Sequence, residues 1–361
     1  MAITIEDITT YTGSEYGVYR FKAKATDEKD KVYADSDYSN VVEYNIPLLS
    51  LALDGKVVTI TGFIDGVTSV DVYLNGAKVS TITRTTEESL TYTIGDDVDK
   101  NAPNKIYAVA NGTGIRENRS DTIVYGASPT FADNDWATIS AISSQIATLS
   151  LTGDLLYNYI KQEYGWSVGD TKTYTNLSGD TYTLQIWDFN AEVDENGNKV
   201  GVQMGSVELQ KTTQQMNSTG TNAGGYGASK MALTTLPSIK ETLPDDLKGV
   251  LKTIKKTYHS GSDDPNTERT MTCDLYLPSE YNVFGSTSYA LQEGVHYKYW
   301  QEHNTSADRV KHLLGSTSGH YWWLSSAYRY NPSYFAGVGS DGYLYYGNAN
   351  TSAGVCLCLS I

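Results

Sequence analysis

The sequence predicts a multi-domain protein in which all-β modules precede an α+β domain. Its 361 residues exceed the length of one ordinary domain. The first third contains short alternating segments separated by Asp-Gly and Asn-Gly turns, and helix-like periodicity begins only after about residue 130. Tyr is abundant, with 29 residues against 6 Phe and 6 Trp. An excess of Tyr is typical of hydrated contact surfaces. In the N-terminal third, however, Tyr on half-exposed strands explains it.

Residues 1–46 are predicted to form a partial β-module. Alternating stretches at 16–25 and 39–44 flank a polar run at 27–37, a strand–turn–strand pattern. The segments 19–25 and 38–44 resemble the closing strands of a fibronectin-type or immunoglobulin-like module. Two explanations of its short length stay open. It is completed by a neighbouring chain or larger assembly, or it is a short strand-exchanged hairpin.

Residues 47–126 are predicted to form an immunoglobulin-like β-sandwich. Pro47 ends the first module, and short strands follow at even spacing, with turns at Asp54-Gly55 and Asn75-Gly76. The predicted strands cover residues 49–53, 57–61, 70–74, 91–94 and 105–110. The segment 126–130, Gly-Ala-Ser-Pro-Thr, indicates a linker to the next domain.

Residues 127–361 are predicted to form an α+β domain. Asp133 or Asn134 can cap a first helix, and a second helical region is expected over 229–256, interrupted by Pro237 and Pro244. Apolar residues share one face of each region: Ile139, Ile142, Ile146 and Leu149 in the first, and Leu247, Val250, Leu251 and Ile254 in the second. The predicted strands cover residues 182–187, 273–277, 320–324 and 355–361.

Several phrases of this last domain, in order along the chain, resemble one family. They are Trp166-Ser-Val-Gly-Asp170, Tyr182-Thr-Leu-Gln-Ile-Trp-Asp-Phe-Asn190, Met216-Asn-Ser-Thr-Gly-Thr-Asn-Ala-Gly-Gly-Tyr226, Leu243-Pro-Asp-Asp-Leu247, Leu275-Tyr-Leu-Pro-Ser-Glu280, Val283-Phe-Gly285, Trp322-Trp-Leu-Ser-Ser326, Gly339-Ser-Asp-Gly-Tyr-Leu-Tyr-Tyr346 and Gly354-Val355. Together they resemble the C-type-lectin-like domain of gut phages and Firmicutes in which diversity-generating retroelements write variation into the last segment. The resemblance implies a formylglycine-generating-enzyme-like variant of the C-type lectin fold.

The same resemblance implies that the domain displays a diversified receptor-binding surface, with its variable segment at 327–358. Adenine-directed mutagenesis of Asn codons yields Tyr, Ser, Asp, Gly, Ala and Cys among others, and these residues dominate the segment. The chain departs from the family at two places. Many members carry Trp-Leu-Arg-Ser-Pro where residues 323–327 are Trp-Leu-Ser-Ser-Ala, and Val-Arg-Pro where residues 355–357 are Val-Cys-Leu.

The segment 327–353 is predicted to carry the ligand-binding surface. Apart from Phe335, Val338 and Leu344 it has almost no core-forming residues, and its Tyr, Ser, Gly and Asn are the residues of antibody combining loops. Arg329 is a candidate charged hot spot. The predicted ligand-binding residues are Tyr328, Arg329, Tyr330, Asn331, Tyr334, Tyr343, Tyr345, Tyr346, Asn348 and Asn350.

A plainer interpretation of this segment exists. In it, residues 340–342, Ser-Asp-Gly, form a hairpin turn, and the flanking Tyr side chains only cover the surface of the β-sheet. Without the family resemblance this interpretation is favoured. With it, most of the predicted positions are expected to be exposed contact residues.

Composition and motifs favour a binding protein rather than an enzyme. The formal charge of -15 repels nucleic acid and anionic membranes, and no stretch has the length of a membrane span or the pattern of a secretion signal. The five His and three Cys lack the spacing of a zinc site, and no nucleophile elbow, Walker loop or dinucleotide fingerprint occurs. We therefore expect no catalytic residue, no metal and no cofactor, and a hairpin turn rather than a calcium loop at 194–198.

The expected function is receptor binding by a phage tail protein during host-cell attachment, with a virion and extracellular localisation. The expected partners are a host cell-surface receptor, either protein or polysaccharide, and virion tail proteins that bind the N-terminal modules. A bacterial surface adhesin and a structural virion decoration protein without receptor binding are the alternatives. The oligomeric state is open, with a homotrimer expected from the resemblance to tail tips.

Overall fold

A computed structural model describes residues 15–21, 42–100 and 102–361. The described part is β-rich, with many small sheets and few helices, and its contacts divide it into two units, 1–127 and 128–361. This confirms the coarse prediction of a β-rich, multi-domain protein. The further division of the first unit at residue 47 stays a prediction, and the predicted polar run at 27–37 lies outside the described residues.

The first described sheet pairs β1 (Gly17–Phe21) with β2 (Val42–Ile46) in antiparallel register. Two hydrogen bonds attach it to a later loop of the same unit. The backbone N–H of Val18 donates to the oxygen of Glu117 at 3.2 Å, and the side-chain amide of Asn45 donates to the oxygen of Arg119 at 2.8 Å. This two-stranded sheet is therefore joined to the sandwich that follows.

Seven strands of the first unit form two sheets around one core. The strands are β3 (Ser50–Asp54), β4 (Val57–Thr61), β5 (Val67–Leu74), β6 (Ala77–Thr83), β7 (Leu90–Thr93), β8 (Pro103–Gly112) and β9 (Ile123–Gly126). Their order is β3-β4-β7 in one sheet and β6-β5-β8-β9 in the other. Alternate side chains such as Ile60, Val72 and Ile106 are fully buried between the sheets, as period-two patterning predicts.

The predicted turn at Asn75-Gly76 is a two-residue hairpin loop. Both residues have positive φ, 50° for Asn75 and 81° for Gly76, which the turn requires and which Asn and Gly tolerate. The strand that follows it, β6, was not among the predicted strands. Most of its side chains are exposed, so it lacks the hydrophobic alternation on which a sequence prediction depends.

The strands of the second unit are β10 (Thr171–Thr175), β11 (Thr181–Val193), β12 (Lys199–Ser206), β13 (Gln214–Gln215), β14 (Ile254–His259), β15 (Glu268–Cys273), β16 (Leu275–Tyr276), β17 (Lys311–His312), β18 (Gly319–His320), β19 (Trp322–Ala327), β20 (Tyr334–Val338), β21 (Leu344–Asn348), β22 (Ser352–Ala353) and β23 (Cys358–Ser360). Its α-helices are α1 (Trp136–Ala147), α2 (Gly153–Tyr164), α3 (Leu236–Lys240), α4 (Asp245–Lys248), α5 (Glu280–Phe284), α6 (Lys298–Glu302) and α7 (Ser306–Arg309). Short 3-10 helices cover Phe131–Asp133 and Tyr226–Ala228, and a π-helix covers Met231–Thr235.

The main sheet of this unit has the order β10-β11-β12-β23-β16. Its C-terminal strand β23 lies between β12 and β16, so the end of the chain is central to the fold. The sequence predicts a longer strand, 355–361, with one apolar face anchored in the core. The apolar face is buried as predicted, but the strand covers only Cys358–Ser360. The residues predicted for its other face, such as Cys358, are fully buried as well.

Two helix predictions need correction. The first helix begins at Trp136 and is capped by Asp135, whose carboxylate accepts the N–H of Thr138 at 2.7 Å, rather than by Asp133 or Asn134. The second region, 229–256, is only partly helical. Its helical parts end at Lys248, and its last residues enter β14, which pairs with β15. None of the side chains of β15 is fully buried, so its sequence has no apolar pattern from which this pairing could be predicted.

Helix α2 was not predicted, although one stripe of it is buried. Leu156, Ile160 and Tyr164 lie on that stripe, and Gly165 ends the helix with φ of 78°. Leu155 and Tyr159 are exposed beside them, at 70% and 39%. Because Leu155 and Tyr159 place apolar side chains outside the buried stripe, the sequence does not show the one-sided apolar pattern by which a helix is recognised.

Candidate ligand-binding surface

The predicted binding segment lies on the three-stranded sheet β19-β20-β21 and its connecting loops. Strands β20 and β21 form the predicted hairpin, in which Tyr334 pairs with Asn348 and Ala336 with Tyr346. The turn is closed by the N–H of Gly339, which donates to the oxygen of Tyr343 at 2.8 Å. Gly342 has φ of 79°, and a Cβ at this position would lie 1.7 Å from the oxygen of Ser306. Glycine therefore lets this turn pack closely on α7.

The ten predicted residues all keep some exposure. Tyr330 is 66% exposed, and Tyr343, Tyr345 and Tyr346 are 61%, 47% and 46% exposed. Asn350 is also exposed, and the remaining five are half-buried: Tyr328, Arg329, Asn331, Tyr334 and Asn348. The segment thus divides into an accessible set of polar and aromatic side chains and a buried set that includes Phe335 and Val338.

Five tyrosines form a contiguous aromatic surface, which we call the tyrosine cluster: Tyr289, Tyr328, Tyr330, Tyr334 and Tyr346. The rings of Tyr328 and Tyr346 stack with centroids 5.0 Å apart and planes 6° apart. Tyr289 meets both of these rings edge-on at 5.2 Å, and Tyr330 meets Tyr328 edge-on at 5.8 Å. Tyr334 lies 5.2 Å from Tyr346. Each such pair contributes about 0.5–1.5 kcal/mol beyond burial, so the rings stabilise one another's positions.

Arg329 places a cation beside the cluster. Its guanidinium carbon lies 4.6 Å from the centroid of the Tyr330 ring, within the range of a cation–π contact. Its backbone N–H donates to the oxygen of Tyr289 at 3.0 Å. Its Nε is buried and has no hydrogen-bond partner among the described residues. A positive group held over an exposed aromatic ring is typical of an interface hot spot.

The other predicted residues are not part of the cluster. Tyr345 and Tyr346 lie on opposite faces of β21, because the side chains of successive strand residues alternate. The hydroxyl of Tyr345 donates to the carboxylate of Asp341 at 3.4 Å. The N–H of Tyr343 donates to the same carboxylate at 3.2 Å. Asn348 accepts the N–H of Asn350 at 3.3 Å. The structure therefore brings together Tyr328, Arg329, Tyr330 and Tyr334 with Tyr346, and leaves the hairpin tip as a separate patch.

Sequence analysis missed Tyr289, which lies outside the segment 327–358. The loop that carries it wraps around the buried carboxylate of Glu280, which accepts the N–H groups of Ser288, Tyr289 and Ala290, the last two at 3.0 Å. Burial raises the pKa of Glu280, and these backbone donors act in the opposite direction. A single Tyr after a Ser-Thr-Ser run gives no local signal of this position.

Sequence analysis also missed the role of Asn222. Its side-chain Nδ2 donates to the backbone oxygens of Tyr328, Asn331 and Tyr334 at 2.9, 2.9 and 2.8 Å. Asn222 is fully buried, and its own N–H donates to the oxygen of Pro332 at 2.6 Å. Its phrase carried the family resemblance, but no local pattern connects it with a loop more than a hundred residues later.

The tyrosine cluster is an open face. Two cavities of this unit, of about 390 Å³ beside Asp188 and about 550 Å³ beside Leu233, are lined by residues outside it. Within residues 15–21, 42–100 and 102–361, no group of three or more His, Cys, Asp and Glu side chains is placed to hold a metal ion. The helices of the described residues are all too short or too polar to cross a membrane.

The C-terminal part of the chain matches a known family model. Residues 198–361 are similar to a family described as a domain of unknown function, DUF6273. The matched region extends from β12 to the C-terminus and includes Asn222, Tyr289 and all ten predicted ligand-binding residues. Comparisons with curated proteins and with solved structures found no match.

Proposed function

We propose that the chain is a receptor-binding adhesion protein that presents a diversified surface, carried on a phage tail for attachment to a host cell. The observation that carries the proposal is the tyrosine cluster with Arg329 beside it, an open and preformed aromatic face. Tyr rings supply contact area at a low cost in conformational entropy, and their hydroxyls supply hydrogen bonds, as in antibody combining sites. The receptor is a protein or polysaccharide of the host surface, and the N-terminal unit binds tail proteins.

The proposal includes an immunoglobulin-like fold for residues 47–126. The strand order of the two sheets, β3-β4-β7 against β6-β5-β8-β9, supports it, because seven-stranded sandwiches of this class pack a three-stranded sheet on a four-stranded one. Such modules commonly act as spacers that hold a binding domain away from its attachment point. This supports a role in display.

The proposal also includes a C-type-lectin-like fold for residues 127–361. Its support is the ordered set of family phrases, whose large side chains lie in the core. Trp166, Trp187, Tyr226 and Trp322 come from four of these phrases, and each is at most 1% exposed. Residues that maintain a fold are expected to be buried in this way, whereas the polar residues of the segment 327–353 are not.

Binding of the purified full-length chain to a panel of intact gut bacteria tests the proposal. The decisive variant changes Tyr330 and Tyr346 to Ala, because these are the most exposed members of the cluster. The matched control changes Tyr159 to Ala; this residue is 39% exposed and lies on α2 of the same unit. If the cluster is the hot spot, we expect the double variant to bind at least about thirtyfold more weakly than the wild type, and the control to bind normally.

A third variant, with Tyr343 and Tyr345 changed to Ala, separates the hairpin tip from the cluster. Thermal unfolding of each variant establishes that it is folded. If the double variant of the cluster binds as tightly as the wild-type chain, the cluster is not the receptor-binding surface. If the wild-type chain binds no cells of the panel, structural decoration of the virion becomes the better explanation.

A further inference from the structure

The loop 328–334, which links β19 to β20 and includes the first residue of β20, carries five of the predicted ligand-binding residues but makes few backbone hydrogen bonds of its own. The N–H of Tyr328 donates to the oxygen of Tyr334 at 3.0 Å and closes the loop at its base. The N–H of Ser333 donates to the side chain of Asn331 at 2.9 Å. The backbone oxygens of Tyr328, Asn331 and Tyr334 turn inward and converge on one atom, Nδ2 of Asn222, so the oxygen of Tyr334 accepts two hydrogen bonds.

This convergence requires a hydrogen-bond donor. An amide nitrogen carries two hydrogens, so three carbonyl oxygens within 2.9 Å of it share them. Without that donor the three oxygens would face one another. The backbone N–H of Asn222 adds a fourth bond to the loop, to the oxygen of Pro332.

Asn222 is itself held from the side opposite the loop. Its Oδ1 accepts the N–H of Ser262 at 3.4 Å. Gly261 has φ of 86°, and a Cβ there would lie 2.5 Å from the backbone oxygen of Asn222. The chain at 261–262 thus packs against Asn222 as closely as glycine allows, and the side-chain amide is left with one orientation.

We propose that Asn222 is the positioning residue of the ligand-binding surface. Its buried amide fixes the backbone of the loop 328–334, and the loop then sets the positions of the Tyr328, Tyr330 and Tyr334 rings and of Arg329. The bonds are made to backbone oxygens, so they do not depend on the side chains that the loop carries. The consequence for affinity rests on the proposed function, because a loop ordered before binding loses less conformational entropy when it binds.

Two substitutions in the full-length chain test the donor role. Asn222→Ala removes the donor, whereas Asn222→Asp keeps the shape but turns an anionic acceptor towards the three oxygens. Hydrogen–deuterium exchange across residues 328–334 is the direct readout, and it needs no ligand. We expect faster exchange in this loop in both variants, at least as fast in the Asp variant as in the Ala variant, with unchanged exchange in β11 and β12.

Asn134 provides a matched control in the same unit. It is 4% exposed, and its Nδ2 donates to the oxygens of Ser128 and Thr130 at 2.9 and 3.0 Å. Asn134→Ala therefore removes a comparable amide from another loop. We expect faster exchange at 128–134 in this variant and wild-type exchange at 328–334.

Binding is then measured on the bacterial strain of the panel that retains the most wild-type chain. We expect the Asp variant to bind about tenfold more weakly or worse, since two or more loop side chains must then be ordered on binding. Asn134→Ala should leave binding unchanged. Asn222→Ser, which keeps one short donor, should give intermediate exchange and intermediate binding.

Several results would overturn the inference. Wild-type exchange at 328–334 in the Asp variant would show that shape, or the ring contacts, hold the loop. Global unfolding of all three Asn222 variants would make Asn222 a core residue rather than a positioning residue. A loosened loop with unchanged affinity would refute its effect on binding while leaving the proposed function intact. If the wild-type chain binds no cells, the proposed function fails, and the exchange experiment still decides whether Asn222 fixes the loop.

Discussion

Asp188 provides a quantitative prediction about the stability of the second unit. It lies in β11 beside a register shift, is 4% exposed, and accepts hydrogen bonds from the Tyr157 hydroxyl and from the N–H groups of Lys298 and Phe189, at 2.8, 2.8 and 2.7 Å. Burial raises the pKa of Asp188 to about 6, because the desolvation of the carboxylate outweighs these three donors. The folded unit therefore holds this proton more tightly than the unfolded chain does.

The sign and size of the effect follow from linkage. The ordinary pKa is 3.8, so the protonated side chain stabilises the folded state below about pH 4, and this stabilisation is lost as the pH rises through about 6. The difference between the two pKa values corresponds to about 3 kcal/mol. Asp188→Asn removes the titrating group. The free energy of unfolding of the variant should therefore rise, relative to that of the wild type, by about 2–3 kcal/mol between about pH 4 and pH 7.

Urea unfolding followed by tryptophan fluorescence measures this difference in the full-length chain. The signal reports on the second unit alone, because all the tryptophans lie within it: Trp136, Trp166, Trp187, Trp300, Trp322 and Trp323. Asp194→Asn is the control of opposite sign. Hydrogen bonds from Asn198 and its neighbours lower the pKa of Asp194, so that variant should lose stability relative to the wild type as the pH rises. A difference for Asp188→Asn that stays constant over the pH range would refute the reasoning.

Two further substitutions probe the core of the second unit and the loop 288–290, which carries Tyr289. Lys311 is 6% exposed, lies within 5.9 Å of three tryptophan rings, and donates to the oxygens of Ser206 and Val207 at 2.6 and 3.1 Å. Lys311→Met should lower the free energy of unfolding by about 2–4 kcal/mol in urea, because it leaves both oxygens without this donor and removes the cation–π contacts. A decrease below about 1 kcal/mol would contradict this account. Glu280→Gln should cost about 1–2 kcal/mol and speed hydrogen exchange at 288–290, since an amide offers one acceptor oxygen to three N–H groups; unchanged exchange there would show that the carboxylate does not hold the loop.

The strands of the first unit could be predicted from the sequence because their signals are local. The strand 57–61 has the bounds predicted for it, and Asn75-Gly76 forms the predicted turn because its conformation needs residues that tolerate positive φ. Strand β6 could not be predicted, because its side chains are mostly exposed and lack alternation. Strand β9 was not predicted either, and none of its side chains is fully buried. Here prediction is limited by the partial exposure of two of the seven strands.

The second unit was harder to predict because its order comes from contacts between distant residues. An exception is Ile254, the last residue of the apolar stripe that favoured a helix, which begins β14 and pairs with the nearby strand β15. Cys358 lies on the face opposite the predicted apolar face and is fully buried too, in a strand that pairs with β12 on one edge and β16 on the other. A period-two pattern shows which residues share a face, but not whether the second face is covered.

The same distinction applies to the binding surface. Composition together with the family resemblance indicated the exposed residues, because Tyr and Asn without core-forming neighbours are typical of contact loops. The residues that hold these loops, Asn222 and Glu280, gave no such signal, since a buried amide and a buried carboxylate acquire their roles only from backbone groups elsewhere in the chain. In sequence alone they resemble ordinary polar loop residues.

Under the proposed function, this arrangement assigns affinity and stability to different residues. Tyr330 is 66% exposed, so its replacement removes little buried surface, whereas Asn222 and Glu280 are at most 1% exposed and each bonds to several backbone groups. Under the proposed function, a substitution among the exposed rings therefore changes what the surface binds without opening the loops beneath it. A substitution at either buried residue acts on every ring of its loop at once. The two kinds of variant should therefore differ in experiment. Variants of the exposed rings should lose binding but keep wild-type hydrogen exchange, whereas variants of the buried residues should lose binding and exchange faster in their loop.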